Sequence, residues 1–398
     1  MTVVRTDVAV VGGGPAGLLL SHLLDRAGVG TVVLDHRSHH EIATTVRAGI
    51  LEQDSVRLLV ESGASDRVLT EGEEHRGIEL AFGGASHRID FQELVGASVW
   101  LYPQTSVFAD LAEARQAAGG DVRFGVSDVE VDGVEGDAPV VRFVGADGSR
   151  QEVRPRYVVG ADGSHSTCRA LVPATARRQY HREYPFAWFG ILCEAPRSAP
   201  ELVYCRSERG FALVSQRSET VQRMYFQCDP DEDVSGWSDD RIWDELQTRV
   251  GANGHTLVEG PVTDRAVLRF RSVVHEPMRY GRLLLAGDAA HTVPPTGAKG
   301  LNLALADVRV LAQCLQDAVR RRDAAGEDAL DGYTERALAR VWKAQHFSSW
   351  MTHLLHRPPG ESDVEEQRQL AELRGLVEST AGRAYLAEGY TGWPEARG

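Results

Sequence analysis

Gly12, Gly14 and Gly17 stand in the spacing Gly-x-Gly-x-x-Gly. Glycines so placed let a backbone turn tightly and come close to a pyrophosphate, whose charge a following helix N-terminus favours. Asp35, at the end of the next apolar run, is placed to accept from a ribose hydroxyl. Two later runs, Tyr157 to Ala161 and Leu283 to Gly287, also deliver an acid beside glycine, at Asp162 and Asp288. A second chemistry gathers at Ser215, Arg217 and Tyr225. A guanidinium offers paired donors to a carboxylate, and hydroxyls on adjoining strand positions can donate to the same oxygens.

These residues require particular elements. Val8 to Val11 reads as a buried strand, the leucines from Leu18 to Leu24 recur at helical spacing up to Gly28, and Thr31 to Leu34 is a second buried strand. Together they make a βαβ unit. Leu51 to Glu61 reads as a helix closed by Gly63, and Gly77 to Trp100 as strand-like. Val140 to Val144 and Gln151 to Val159 flank an Asp147-Gly148 turn as a hairpin leading into Gly160. Phe186 to Cys228 reads as successive aromatic-rich strands, and helical sequence dominates after Gly300. The fold class expected is mixed α/β: a Rossmann-like dinucleotide domain, an inserted β-sheet substrate domain and C-terminal helices.

The 398 residues, 42% of them hydrophobic, suffice for two or three domains with a large core. A formal net charge of -14 argues against general affinity for nucleic acid or anionic lipid, so a small anionic substrate needs a local cationic pocket. The five cysteines, Cys168, Cys193, Cys205, Cys228 and Cys314, show neither CxxC pairing nor zinc spacing. Reduced thiols and no metal site are expected. With no membrane-length apolar run and no signal-peptide pattern, the expectation is a cytoplasmic protein.

The three dinucleotide motifs, in this order, resemble those of the class A flavoprotein aromatic hydroxylases. The segments Tyr204, Gly210 to Leu213, Ser215 to Arg217, Arg223, Tyr225 and Gly281 to Asn302 are similar to the 4-hydroxybenzoate branch of that class. Supporting similarity runs through Arg47 to Gln53, Trp237 to Asp240 and Trp342 to Arg357. The resemblance implies FAD as cofactor, NADH and/or NADPH as co-substrate, and O2 with a phenol carboxylate as reactants. The activity implied is hydroxylation of 4-hydroxybenzoate ortho to the phenol, giving 3,4-dihydroxybenzoate, after oxygen addition at flavin C4a. A homodimer is also implied.

Carried over residue by residue, the resemblance assigns Gly12, Gly14, Gly17, Asp35, Arg47, Gln104, Asp162, Arg223, Asp288, Lys299, Leu301 and Asn302 to the cofactor. It assigns Ser215, Arg217, Tyr225, Tyr204, Pro295 and Thr296 to the substrate. Tyr204 accepts the phenol proton, Tyr390 relays it and His75 stands at the solvent end, while the Pro295 carbonyl faces the reacting hydroxyl. Arg37, Arg47, His165 and Arg271 are assigned to the nicotinamide cofactor. The expected division is a discontinuous FAD-binding domain over 1–74, 98–172 and 276–355, a substrate sheet over 75–97 and 173–275, and a helical segment over 356–398.

Two departures matter. Glu41 replaces an aromatic and Thr45 an arginine in the segment that selects the nicotinamide, which weakens recognition of a 2′-phosphate and makes NADH use credible. Ile50 replaces a valine near the substrate ring, so an amino-substituted 4-hydroxybenzoate is an alternative substrate. A non-hydroxylating flavoprotein binding module is the alternative of a different class.

Overall fold

The computed structural model describes residues 2–45, 49–321 and 324–393. The strands Val8–Val11, Thr31–Asp35, Tyr157–Gly160 and Leu283–Leu285 are buried almost throughout, which a parallel sheet covered on both faces demands. They form a six-stranded sheet with Asp121–Phe124 at one edge and Arg279–Tyr280 at the other. Every pairing in it is parallel except the Arg279–Tyr280 edge. Helices Pro15–Arg26 and Gly300–Arg321 pack in the same core through Leu18, Leu19, Leu24, Leu305, Val308 and Leu311.

An eight-stranded sheet supplies the second layer. Its order is His291–Thr292, Val262–Glu276, Arg178–Glu194, Val221–Cys228, Gly210–Gln216, Leu202–Ser207, Gly77–Phe82 and Ala85–Asp90. Period-two alternation divides the side chains between two cores. Val203, Cys205, Ala212, Met224 and Phe226 meet the helix Asp239–Gly251. Tyr204, Phe211, Leu213, Tyr225 and Trp188 face the other way, in one core with Phe347, Met351, Leu386 and Tyr390 of the C-terminal helices. No helix among the described residues is long and apolar enough to cross a membrane.

Two local readings are corrected. Ile50–Glu52 is a strand paired with Val99–Leu101, and the helix begins only at Gln53. Tertiary pairing overrides helix propensity there. The run 151–159 is not one hairpin arm. Arg150–Arg154 pairs with Val140–Val144, whereas Tyr157–Gly160 joins the parallel sheet. Pro155, which lacks an N–H, stands between the two sheets.

The glycine turn shows why its spacing is strict. A Cβ on Gly17 would lie 1.9 Å from the Gly12 carbonyl oxygen, whereas one on Gly14 would meet nothing within 4 Å. Gly17→Ala is therefore expected to cost about 3 kcal/mol in denaturant unfolding, as overpacking against backbone does, while Gly14→Ala leaves stability unchanged. Equal stability of the two variants would contradict this packing.

Candidate active site

A single cavity of about 650 Å³ runs from the glycine turn to the eight-stranded sheet. At one end it is lined by Gly14, Pro15, Ala16 and Gln104, in the middle by Asp288, Pro295, Lys299, Gly300 and Leu301, and at the far end by Tyr204, Ser215, Arg217, Arg223 and Tyr225. Sequence positions far apart thus face one space, because turns that follow the parallel strands, at Ala161 and Ala286, and residues of the eight-stranded sheet, at Tyr204 and Tyr225, line it together.

The nucleotide end is held by hydrogen bonds to side chains that do not themselves line the cavity. Asp35 Oδ2 accepts from Gly13 N at 2.7 Å and from Arg37 Nη2 at 2.8 Å, and Oδ1 accepts from Arg37 N and Nε. A ribose hydroxyl would have to share these lone pairs. The Asp162 carboxylate is likewise engaged, by the Ser166 and Thr167 hydroxyls and by the N–H groups of Thr167 and Cys168. It shapes the turn whose Ala161 and Gly163 line the cavity. The Asn302 amide bonds Glu52 N, Ser55 Oγ, Ile50 O and Ala298 O, so only its backbone remains for a ligand.

Lys299 is 1% exposed, and its ammonium donates to Glu52 Oε1 at 2.7 Å and to the Tyr390 carbonyl at 2.8 Å. Burial pulls its pKa down and Glu52 pushes it up. Arg340 donates to the other Glu52 oxygen and to Gly392 O. The loop 295–300, the strand at Glu52 and the last helix are thereby one unit.

At the far end, register places Tyr204, Leu213, Tyr225 and Gly190 in one row across the sheet. A Cβ at Gly190 would lie 2.9 Å from the Tyr225 ring, so glycine makes the room that ring occupies. The Arg223 guanidinium carbon lies 5.2 Å from the Tyr225 centroid, and Arg223 Nη1 is buried with no hydrogen-bond partner among the described residues. Burial, then the neighbouring Arg223, lowers the Arg217 pKa to about 10, which leaves it a cation at neutral pH. The Ser215 hydroxyl donates to Arg223 O and must rotate before it can donate to a ligand.

Tyr204 and Tyr390, 186 residues apart, bring their hydroxyl oxygens within 2.7 Å. Burial raises both pKa values, so both hold their protons at neutral pH. His75 is not hydrogen-bonded to either tyrosine among the described residues; its Nε2 lies 3.1 Å from Gln216 Nε2 and its Nδ1 is unpartnered. Thr296 is fully buried with its hydroxyl against Thr352, and Pro295 lines the cavity with its carbonyl accepting from Ala298 N.

Of the nicotinamide set, Arg37 lines the cavity, His165 and Arg271 are exposed outside it, and Arg47 lies outside the described residues. Trp188, Gln216 and Leu268 also line the cavity. They were missed by motif reading, although alternation along their strands would have put Trp188 on the same face as Gly190.

The donor set fits a flavin dinucleotide. Gly14 and Gly300 leave open space where a Cβ would project, and Arg223 Nη1 and Thr292 Oγ1, which have no hydrogen-bond partner among the described residues, belong to residues that line the same cavity. Glycine turn, strand-end acids and a buried cationic aromatic pocket are the features of a dinucleotide-binding fold with an adjoining small-molecule cavity.

The FAD binding domain family matches residues 5–348. A p-hydroxybenzoate hydroxylase of Acinetobacter baylyi is 44% identical over 396 residues, 99% of this chain and 97% of that one. In solved structures, p-nitrophenol 4-monooxygenase from Pseudomonas putida superimposes with TM-score 0.82 at 21% identity, over 99% of this chain and 100% of its own. A complex of aklavinone-11 hydroxylase with FAD and aklavinone gives 0.73 at 23% identity, over 92% and 71%. This chain belongs to the FAD binding domain family, as a flavin-dependent aromatic monooxygenase.

Gly14→Ala puts a methyl group into the cavity at the glycine turn without touching protein. It is expected to weaken FAD binding about tenfold or more. Titrating apoprotein with FAD checks this, and an unchanged dissociation constant would place the pyrophosphate elsewhere.

Proposed function

We propose that this enzyme hydroxylates 4-hydroxybenzoate ortho to its phenol, giving 3,4-dihydroxybenzoate. The observation that carries the reading is the single cavity that joins the glycine cradle to an arginine clamp and a tyrosine pair. The 44% identity with a p-hydroxybenzoate hydroxylase over nearly the whole chain supports it. We assign the cofactor to Gly12, Gly14, Gly17, Asp35, Gln104, Asp288, Arg223 and the 299–302 loop, within a discontinuous domain, and the substrate to the inserted sheet.

FAD, when bound, supplies nicotinamide-driven reduction and the activation of O2; the remaining steps fall to the chain. Arg217, with Tyr225 and Ser215, binds the carboxylate and orients the ring along the cavity. The phenol then meets Tyr204. When Tyr204 donates to Tyr390 it accepts from the substrate hydroxyl, and when Tyr390 donates to Tyr204 it donates to a phenolate. The same 2.7 Å contact thus serves both protonation states, and a phenolate is the stronger carbon nucleophile. Its proton leaves toward His75, which needs intervening water because no direct bond links His75 to the pair.

We infer use of NADH at least comparable to that of NADPH. The Glu41 carboxylate caps Ser38 on the exposed helix His39–Thr44, where it repels a 2′-phosphate, and Arg37 is already engaged by Asp35. The compartment we infer is the cytoplasm, and the assembly a homodimer. The C-terminal helices bury Leu373, Leu376 and Leu386 within the chain, so on the helices after Gly300 the exposed large apolar residues among those described are Trp342, Val364 and Tyr385. Because Ile50 lines the cavity, an amino-substituted 4-hydroxybenzoate is the second substrate reading, and a panel of substituted benzoates separates the two.

Arg217→Ala should weaken 4-hydroxybenzoate binding about a hundredfold, because it removes the charged partner of a carboxylate. Tyr204→Phe should leave binding within about threefold while product per nicotinamide falls and peroxide rises. Dissociation constants from flavin spectra, with product and peroxide counted, check both. Full coupling in Tyr204→Phe together with unchanged affinity in Arg217→Ala would reverse the substrate orientation. For the nicotinamide, initial rates with each form should favour NADH or be equal, and a strong NADPH preference would show that a cation compensates for Glu41 and Thr45.

A further inference from the structure

Trp188 lines the cavity beside Tyr225, their ring centroids 4.8 Å apart. Its indole nitrogen donates to His356 Nε2 at 2.7 Å, and His356 Nδ1 lies 2.9 Å from the Thr352 carbonyl oxygen. An indole N–H only donates and a carbonyl only accepts. Nε2 must therefore be bare and the ring proton must sit on Nδ1, so the two neighbours fix one tautomer. His356 is fully buried, stacked at 4.7 Å on Phe186 and at 4.5 Å on Phe211. Burial takes its pKa down to about 3; the Thr352 carbonyl contact opposes this, and the cations Arg249 and Arg206 that face the ring add to the lowering. The ring stays neutral at every working pH.

The contact continues beyond the ring. The Thr352 hydroxyl lies 2.8 Å from that of Thr296, in the 295–297 turn whose Pro295 lines the same cavity. A short chain of polar contacts thus joins the wall of the carboxylate end to the loop at the cavity's centre. Neither the glycine motifs nor the arginine clamp accounts for it.

We propose that His356 is a positioning residue for the substrate pocket: as a fixed Nδ1–H tautomer it holds the Trp188 indole against Tyr225 and so sets affinity for the substrate ring. This rests on the aromatic-carboxylate reading above. His356→Phe keeps a flat ring in the stack but leaves the buried indole N–H without an acceptor, whereas the amide oxygen of His356→Gln can accept from it.

In FAD-loaded enzyme, His356→Phe is expected to raise the 4-hydroxybenzoate dissociation constant about tenfold with kcat within about threefold, and His356→Gln to recover most of the loss. In a Trp188→Phe background, which has no N–H to hold, His356→Phe should add nothing further. An unchanged constant in His356→Phe, or an undiminished loss in the Trp188→Phe background, would overturn the proposal. Should wild-type enzyme not bind 4-hydroxybenzoate, the substrate reading fails on its own, and nitrogen NMR of labelled histidine in the holoenzyme decides the positioning claim. A non-titrating, Nδ1-protonated His356 with a Trp188 N–H signal that shifts in His356→Phe upholds it. Titration of His356 through the neutral range, or a proton on Nε2, refutes it.

Discussion

The buried charge pair between Glu52 and Lys299 is the constraint around which the catalytic half of the molecule is assembled. Neither group tolerates burial alone, and an ammonium deprived of its carboxylate would lose its proton or pull in water. With both 2% exposed or less, strand Ile50–Glu52, the loop before helix Gly300–Arg321 and the last turn of the C-terminal helix have one joint arrangement. Asn302 repeats the tie by satisfying Glu52 N and Ile50 O. Tyr390 reaches Tyr204 because its own carbonyl is held by Lys299.

This arrangement explains how an acidic chain can attract an anion into an aromatic pocket. Arg217, Arg223 and Lys299 line the cavity, and in low-dielectric surroundings each acts more strongly than a surface charge would. Lys299 is already paired with Glu52, and at the sheet end Arg223 Nη1 has no hydrogen-bond partner among the described residues. In the proposed orientation the carboxylate therefore lies at the sheet and the phenol at the tyrosine pair.

What was legible in the sequence is what local geometry dictates. The Gly12 to Gly17 turn and the buried parallel strands follow from spacing, because each requirement lies within a few residues; Ser215, Arg217 and Tyr225 stand out only through resemblance, and Arg217 lies in the bend just past strand Gly210–Gln216 rather than on a strand. The Tyr204 to Tyr390 contact was visible only through resemblance, and the Glu52 to Lys299 pair, 247 residues apart, carried no signal in spacing. The engaged carboxylates of Asp35 and Asp162 were legible as acids at strand ends, yet their partners were not. Arg37 takes the first, and the Ser166 to Cys168 turn takes the second. His356 escaped because a buried histidine among apolar neighbours reads as core.

The proposed reaction requires one cavity to serve both cofactor and phenol carboxylate. Its most direct measurement is turnover of 4-hydroxybenzoate by FAD-loaded enzyme with a nicotinamide donor under isotope-labelled O2, counting labelled product per nicotinamide oxidised. The proposed reaction puts one labelled oxygen atom in the product, ortho to the phenol, for nearly every nicotinamide consumed. Nicotinamide oxidation that yields only peroxide, at the same rate with and without the benzoate, would contradict it.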